Sequence, residues 1–239
     1  MPAVSRLLAA LTACCLALAL ASCGDDGGDE AAATPEPTAE ATTEAPAANE
    51  FVPEGCEDVE APAPREEGTL EAPKEKLSAS KTYVATVSTT CGDFKITLDA
   101  KRAPITGGSF KYLADEKFFE GLNFHRIVSG FVIQGGDPTG SGNGGPGYSV
   151  EEAPPSDLKY TPGIVAMAKT QDEAPGTSGS QFFVVTGEGA ASLTPDYALV
   201  GEVTEGMEVV DKIGAVQADP NSGMPAAQVI IKSVTVEET

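Results

Sequence analysis

The stretch "FHRIVSGFVIQGGDP", residues 124–138, contains two short apolar runs separated by a serine and a glycine. Successive residues of a strand point to opposite faces, so Phe124, Arg126 and Val128 would share one face, with His125 and Ile127 on the other. The pattern predicts two neighbouring short strands. It leaves a single arginine beside apolar neighbours. One interpretation is a solvated arginine on the surface, and the other is an arginine with a functional role.

The sequence around this stretch is rich in further short strands. "KTYVATVSTT" and "FKITL" alternate apolar and polar residues on either side of the turn at Gly92–Asp93, which predicts a hairpin. Apolar runs of similar length follow in "GIVAMA", "SQFFVVT", "ALVGEV" and "VIIKSVTVE". Helical spacing is confined to "APITGGSFKYLADEKFF", where Thr106 is a candidate cap, and to "GMEVVDKI". We therefore predict a mainly β fold, an antiparallel barrel with two α-helices rather than a doubly wound sheet.

Several classes of site are disfavoured by the residues themselves. "GSGNGG", residues 140–145, satisfies G-x-G-x-x-G, but Pro146, Gly147 and Tyr148 follow where a dinucleotide site needs a helix. His125 is the one histidine and no CxxC spacing occurs, so we expect neither a metal site nor a cofactor. The net charge is −21 with no basic stripe, which argues against nucleic acid as a partner.

The first residues have the order of charges and apolar residues that is typical of an export signal. Arg6 precedes the apolar run "LLAALTACCLALALA", which ends in Leu20-Ala21-Ser22-Cys23. That ending resembles the lipobox of bacterial lipoproteins, in which the cysteine after the cleavage point carries a lipid. We predict a lipoprotein signal peptide over residues 1–22 and lipidation of Cys23, an ordinary cleaved signal peptide being the alternative.

Residues 23–80 are acidic and rich in proline and alanine, with Arg65, Lys74 and Lys76 as the only basic residues. Such a composition offers little apolar surface to bury, so we expect a disordered linker before a folded domain at 81–239. Cys56 and Cys91 would remain after export into an oxidising compartment. We predict a disulfide between them, two unpaired thiols being the alternative.

Several separate motifs in order carry a family resemblance. "FHRIVSGFVIQGGDPTGSGNGGPGY", "GIVAMAK" and "SQFFVVT" make the chain from about Thr82 to Val236 resemble the cyclophilin family of peptidyl-prolyl cis/trans isomerases. The resemblance implies a closed eight-stranded antiparallel barrel capped by two α-helices. It also implies an enzyme that needs no cofactor.

The resemblance assigns roles position by position. Arg126 matches the catalytic arginine of the family. The following residues match positions that bind substrate: Phe131, Val132, Gln134, Ala168, Lys169, Thr170, Gln181, Phe183, Leu193 and Tyr197. Val132 replaces a methionine of many members, while Tyr197 and the region of Ser192 replace a histidine and a tryptophan of the best-known ones. The altered edge implies weaker binding of cyclosporin-type inhibitors.

These features together predict a folding catalyst outside the cytoplasm. We expect an isomerase that acts on X-Pro bonds of secreted or cell-envelope proteins, is held on the bacterial cell membrane through its N-terminal lipid only, and is a monomer. A catalytically weak proline-peptide binding module or chaperone on the cell surface is the alternative.

Overall fold

The computed structural model describes residues 49–239. The predicted signal peptide, Cys23 and the first part of the predicted linker lie outside the described residues. The main strands are β1 (Tyr83–Thr89), β2 (Gly92–Leu98), β3 (Arg126–Val128), β4 (Val132–Gly135), β6 (Ile164–Met167), β8 (Phe182–Val185), β9 (Leu199–Glu205) and β10 (Ile231–Glu238). Two short strands, β5 (Val150–Glu151) and β7 (Thr177–Ser178), pair with each other. The helices are α1 (Pro104–Asp115), α2 (Met207–Gly214) and a 3-10 turn at Glu188–Ser192.

The eight main strands form one antiparallel sheet in the order β10-β1-β2-β9-β6-β8-β4-β3. The predicted mainly β antiparallel fold with two α-helices is confirmed, but the two outer strands β10 and β3 do not pair, so the sheet is a curled half-barrel and not the predicted closed barrel. A loop takes the place that β10 would need: the Ile127 amide of β3 donates to the Gly223 carbonyl at 2.8 Å. The two ends meet where residues 121–124 lie beside residues 229–231. The Gly121 amide donates to the Ile231 carbonyl at 2.8 Å, the Ile231 amide donates to the Leu122 carbonyl at 2.7 Å, and Asn123 and Ile230 form an isolated bridge.

Alternation along the strands divides the apolar side chains between two clusters. In β1 every second residue is buried, as the sequence pattern predicts. Phe182 is fully buried in the larger cluster, where its ring meets Phe110 and Phe119 edge-on. Its neighbour Phe183 points to the other face and belongs to the smaller cluster. Only this smaller cluster contributes to the site described below.

Helix α1 begins at Pro104, and its first turn is capped from outside the helix. The Glu152 carboxylate accepts hydrogen bonds from the amides of Ile105 and Thr106 at 3.1 and 2.7 Å. Thr106 is therefore inside the helix rather than at its cap, and its hydroxyl has no partner among the described residues. A negatively charged carboxylate at a helix N-terminus also interacts favourably with the helix dipole.

The described part of the predicted linker, residues 49–80, has no helix or strand, and several of its residues contact the domain. We call residues 56–77 the strap. Its first residue, Cys56, forms the predicted disulfide with Cys91. Its last, Leu77, is buried, and the Leu77 amide donates to the Pro104 carbonyl at 3.0 Å. Any residue except proline can donate a backbone hydrogen bond to a carbonyl group, so composition does not reveal such contacts.

Within the part of the chain that the structure describes, no helix has the length and apolar character needed to cross a membrane.

Candidate active site

A pocket of about 300 Å³ opens beside β3 and β4 on the side of the smaller apolar cluster. It brings together nearly all residues to which the sequence assigned a role. Its lining consists of Arg126, Phe131, Val132, Gln134, Ala168, Lys169, Thr170, Gln171, Phe183, Leu193 and Tyr197. Gln181 is the one predicted residue outside the lining, and Gln171 is the one lining residue that was not predicted.

Arg126 owes its place to the pairing of the two short strands. In the β3–β4 register it lies opposite Gln134, and its Nη1 is 3.4 Å from the Gln134 Oε1. The guanidinium carbon lies 6.0 Å from the centre of the Phe131 ring. Gly223, in the loop between α2 and β10, lies close to the Arg126 side chain: a Cβ at this position would be 2.9 Å from the Arg126 Cγ. This loop therefore confines the aliphatic part of the arginine. The charged end is thereby held at the pocket.

A chain of side-chain amides continues from the arginine. The Gln134 Nε2 donates to the Gln181 Oε1 at 3.0 Å, and the Gln181 Nε2 donates to the Gly144 carbonyl at 2.9 Å. Gln181 thus reaches Arg126 through Gln134 instead of lining the pocket itself. Because each amide uses one donor and one acceptor in this chain, the orientation of Gln134 is fixed and its Oε1 faces the arginine.

The apolar side of the pocket is built on β4, β6 and β8. Val132 and Phe183 are buried, and Ala168 follows directly after β6. The Phe183 and Tyr197 rings meet edge-on with their centres 5.5 Å apart. These contacts leave a small apolar recess next to the arginine.

Tyr160 supports the edge of the pocket through Tyr197, and no sequence pattern had indicated it. Its hydroxyl donates to the Tyr197 carbonyl at 2.8 Å and accepts from the Tyr197 amide at 3.0 Å. Burial, only partly offset by hydrogen bonds from the backbone near Tyr197, raises the pKa of Tyr160 to about 12. Tyr160 lies in an irregular segment without apolar periodicity, so no pattern could have identified it.

The side chain of Lys169 is held by neighbouring residues and is not exposed to solvent. Its side chain is 4% exposed, and its Nζ lies 3.0 Å from the Asp196 carboxylate. The same Nζ lies 5.8 Å from the centre of the Tyr197 ring. The charge of Lys169 is therefore matched by Asp196, which leaves Arg126 as the cation available to a bound ligand in this pocket.

His125 lies next to Arg126 in sequence but does not line the pocket. Both of its ring nitrogens lack a hydrogen-bond partner among the described residues. Burial, assisted by the charge of Arg126 and opposed by that of Asp137, lowers the pKa of His125. The ring is therefore neutral at pH 7.

A second groove of about 300 Å³ joins the first pocket. The two share Gln134, Ala168, Lys169 and Thr170. The outer wall is the glycine-rich segment 142–147, and Glu67 of the strap lies at its rim. A chain bound in the first pocket can therefore continue into the second.

Among residues 49–239, the carboxylates, cysteines and histidine form no cluster of three that could hold a metal ion.

Comparison with known proteins agrees with this geometry. Residues 84–236 match the family model described as "Cyclophilin type peptidyl-prolyl cis-trans isomerase/CLD". The chain belongs to the cyclophilin family. Peptidyl-prolyl cis-trans isomerase B of Streptomyces anulatus is 40% identical over an alignment of 171 residues that covers 64% of this chain and 95% of that protein. Peptidyl-prolyl cis-trans isomerase A of Mycobacterium tuberculosis is 38% identical over 65% of this chain and 92% of that protein.

A solved structure shows the same fold. A cyclophilin-type isomerase of Cryptosporidium parvum superimposes with a TM-score of 0.60 at 32% identity, covering 65% of this chain and 98% of that one. The same protein was also crystallised in the presence of the dipeptide Ala-Pro, and that structure matches with a TM-score of 0.59. This cyclophilin is thus a peptidyl-prolyl cis-trans isomerase whose pocket residues all lie within the matched segment, whereas the strap lies before it.

Proposed function

We propose that this cyclophilin accelerates X-Pro isomerisation in secreted or cell-envelope proteins and acts there as a folding catalyst. The observation that carries the proposal is the position of Arg126, a confined cation at the edge of an apolar recess. Short proline-containing segments are the substrates that such a recess would take. The Ala-Pro dipeptide used with the Cryptosporidium parvum relative supports this substrate class.

The arginine supplies what the reaction needs. Amide resonance sets a barrier of about 18–20 kcal/mol, so an uncatalysed X-Pro bond isomerises in tens to hundreds of seconds. Rotation about the bond breaks the resonance and returns a lone pair to the prolyl nitrogen. A hydrogen bond from the Arg126 guanidinium to that lone pair forms only in the twisted state, so it stabilises the transition state more than the ground state.

The apolar recess and the amide chain complete the mechanism. Val132 and Phe183 would hold the proline ring and exclude the water that favours the planar, polar amide. Gln134, oriented by Gln181, would fix both the arginine and a substrate carbonyl. No proton leaves the substrate in this scheme, so the neutral and buried His125 has no catalytic part in it.

The cellular setting is proposed from the N-terminal sequence. A lipid on Cys23 would hold the protein, as a monomer, on the outer side of the bacterial cell membrane, with residues 24–48 and the strap before the domain. Mass spectrometry of the protein isolated from its membrane tests this arrangement. A mature N-terminus at a diacylated Cys23 is expected; an unmodified N-terminus at another residue would mean an ordinary cleaved signal peptide.

Refolding of an exported protein that is limited by X-Pro isomerisation tests the folding role. Wild-type protein should accelerate the slow phase, and Arg126→Ala should not. Equal suppression of aggregation by both, with no acceleration by either, would instead favour the proline-binding module or chaperone.

A further inference from the structure

The strap contacts the loop of residues 137–147, which accepts the last hydrogen bond of the side-chain amide chain from Arg126 through Gln134 to Gln181. The Gly68 amide donates to the Gly145 carbonyl at 2.9 Å, and the Leu70 amide donates to the Pro146 carbonyl at 2.9 Å. One residue earlier in the loop, the Gly144 carbonyl accepts the bond from Gln181. Strap and active site therefore meet on adjacent peptide groups of the same loop.

The contact between strap and loop is close enough to require glycine on both sides. A Cβ on Gly68 would lie 2.5 Å from the Pro146 carbonyl oxygen, and one on Gly147 would lie 2.5 Å from the Gly68 carbonyl oxygen. Gly68 does not have a positive φ, so a side chain there would be excluded by this contact and not by backbone strain. The Gly68 position therefore controls how near the strap can approach.

The strap is fixed at both ends and between them. The disulfide of Cys56 holds the first end. At the other end Leu77 packs where a Cβ on Gly107 of α1 would lie, 2.5 Å from its Cδ1. Between them, the Arg65 amide donates to the Pro138 carbonyl at 2.8 Å, and the Arg65 guanidinium carbon lies 5.6 Å from the Phe118 ring centre.

The loop has a second anchor inside the domain. Asp137 is 1% exposed, and its carboxylate accepts hydrogen bonds from the amides of Thr139 and Gly142. Burial alone would raise the pKa of Asp137, but hydrogen bonds from Thr139, Gly142 and Gly144 outweigh it and the pKa lies below its usual value. Asp137 thus fixes the start of the loop, and the strap fixes its end.

We propose that the strap is a positioning element of the isomerase site, acting through Gly68 and Leu70 on the Gly144 carbonyl and then through Gln181 and Gln134 on Arg126. This inference rests on the proposed role of Arg126. It assigns a function to a segment that precedes the residues matched by the family model, which begin at residue 84.

Turnover of a short Ala-Pro peptide by Gly68→Ala tests the proposal. The added methyl group pushes the strap from the loop, so kcat should fall about two- to tenfold, the loss of roughly one positioning hydrogen bond, while KM changes little. Thr69→Ala is the matched control, since the Thr69 hydroxyl is exposed and forms no hydrogen bond within residues 49–239. It should leave kcat unchanged.

A double-variant comparison separates positioning from general loosening. In a Gln181→Ala background the path is already broken, so adding Gly68→Ala should cause no further fall in kcat. An equal fall in both backgrounds, or a folded Gly68→Ala protein with wild-type kcat, would overturn the proposal. Should Gly68→Ala not fold, Leu70→Ala loosens the strap without a clash and must lower kcat by the same path.

The Arg126→Ala protein belongs in the same series, because it separates two kinds of failure. If it keeps wild-type turnover, the proposed active site is wrong. If it loses turnover while Gly68→Ala keeps it, the active site stands and the positioning role of the strap is wrong.

Discussion

Tyr160 shows how one buried hydroxyl shapes the edge of the pocket. It satisfies both the amide and the carbonyl of Tyr197, so Tyr160→Phe would leave two backbone groups without partners. We expect the free energy of unfolding to fall by about 1–3 kcal/mol. Denaturant unfolding measures this, with Tyr112→Phe as control because that hydroxyl forms no hydrogen bond among the described residues. Equal losses in the two variants would contradict the role of the Tyr160 hydroxyl.

Protonation of the single residue His125 makes the free energy of unfolding depend on pH. Because burial lowers its pKa in the folded state, the unfolded chain binds a proton first as pH falls below about 6.5. The contribution of His125 to the free energy of unfolding is therefore fully present above that pH. It is lost as the pH falls toward the folded-state pKa of His125, by at most about 1.4 kcal/mol per pH unit. His125 is the one histidine of the chain, so no other histidine obscures the effect.

His125→Gln should therefore lose less stability than wild type between pH 7 and pH 5. Unfolding in denaturant at both pH values gives the two differences. An identical loss in variant and wild type would mean that His125 becomes protonated equally in the folded and unfolded states.

The residues that line the pocket were predictable, whereas those that position them were less so. The alternation around Arg126 placed it and its neighbours on a strand, and the family resemblance supplied the rest of the pocket. Gln181 was predicted as a site residue, but its connection to Gly144 depends on the path of a loop. Tyr160 contributes through its hydroxyl from an irregular segment, where no periodicity marks a residue as important.

At the scale of elements, alternation predicted the strands and helical spacing predicted α2. The predicted closure of the barrel is not seen, because closure depends on what lies against the outer edge of β3. At that edge the Ile127 amide donates to Gly223, in the loop between α2 and β10, which has no periodic pattern. Acidic composition predicted a disordered linker, and composition does not reveal the backbone hydrogen bonds between the strap and the domain. The strap lies against α1 at Gly107 and Gly108, two residues that are unusual inside a helix.

The disulfide links the strap to the domain and should stabilise the folded state of both. Cys56 and Cys91 are separated by 35 residues, and joining them restricts the unfolded chain. Cys56→Ala/Cys91→Ala should lower the free energy of unfolding by about 2–4 kcal/mol. Reductant should have the same effect on wild type and none on the double variant. An unchanged unfolding midpoint would mean that the strap leaves the domain before the domain unfolds.

At the scale of the whole molecule, one face of the curled sheet lines the pocket and the other face carries most of the core. Phe182 and Phe183 mark the division, with adjacent residues on opposite faces of β8. The strap adds a support from outside the matched segment. The molecule is therefore a cyclophilin in which a barrel-like scaffold holds one arginine beside an apolar recess.

The rate of cis-trans isomerisation of an Ala-Pro peptide by wild-type protein and by Arg126→Ala tests this account most directly. We expect kcat/KM to fall about 10²–10³-fold, in line with the loss of one transition-state hydrogen-bond donor, while peptide binding and thermal unfolding stay close to wild type. A folded Arg126→Ala protein with wild-type kcat/KM would contradict the assignment of Arg126 as the catalytic residue.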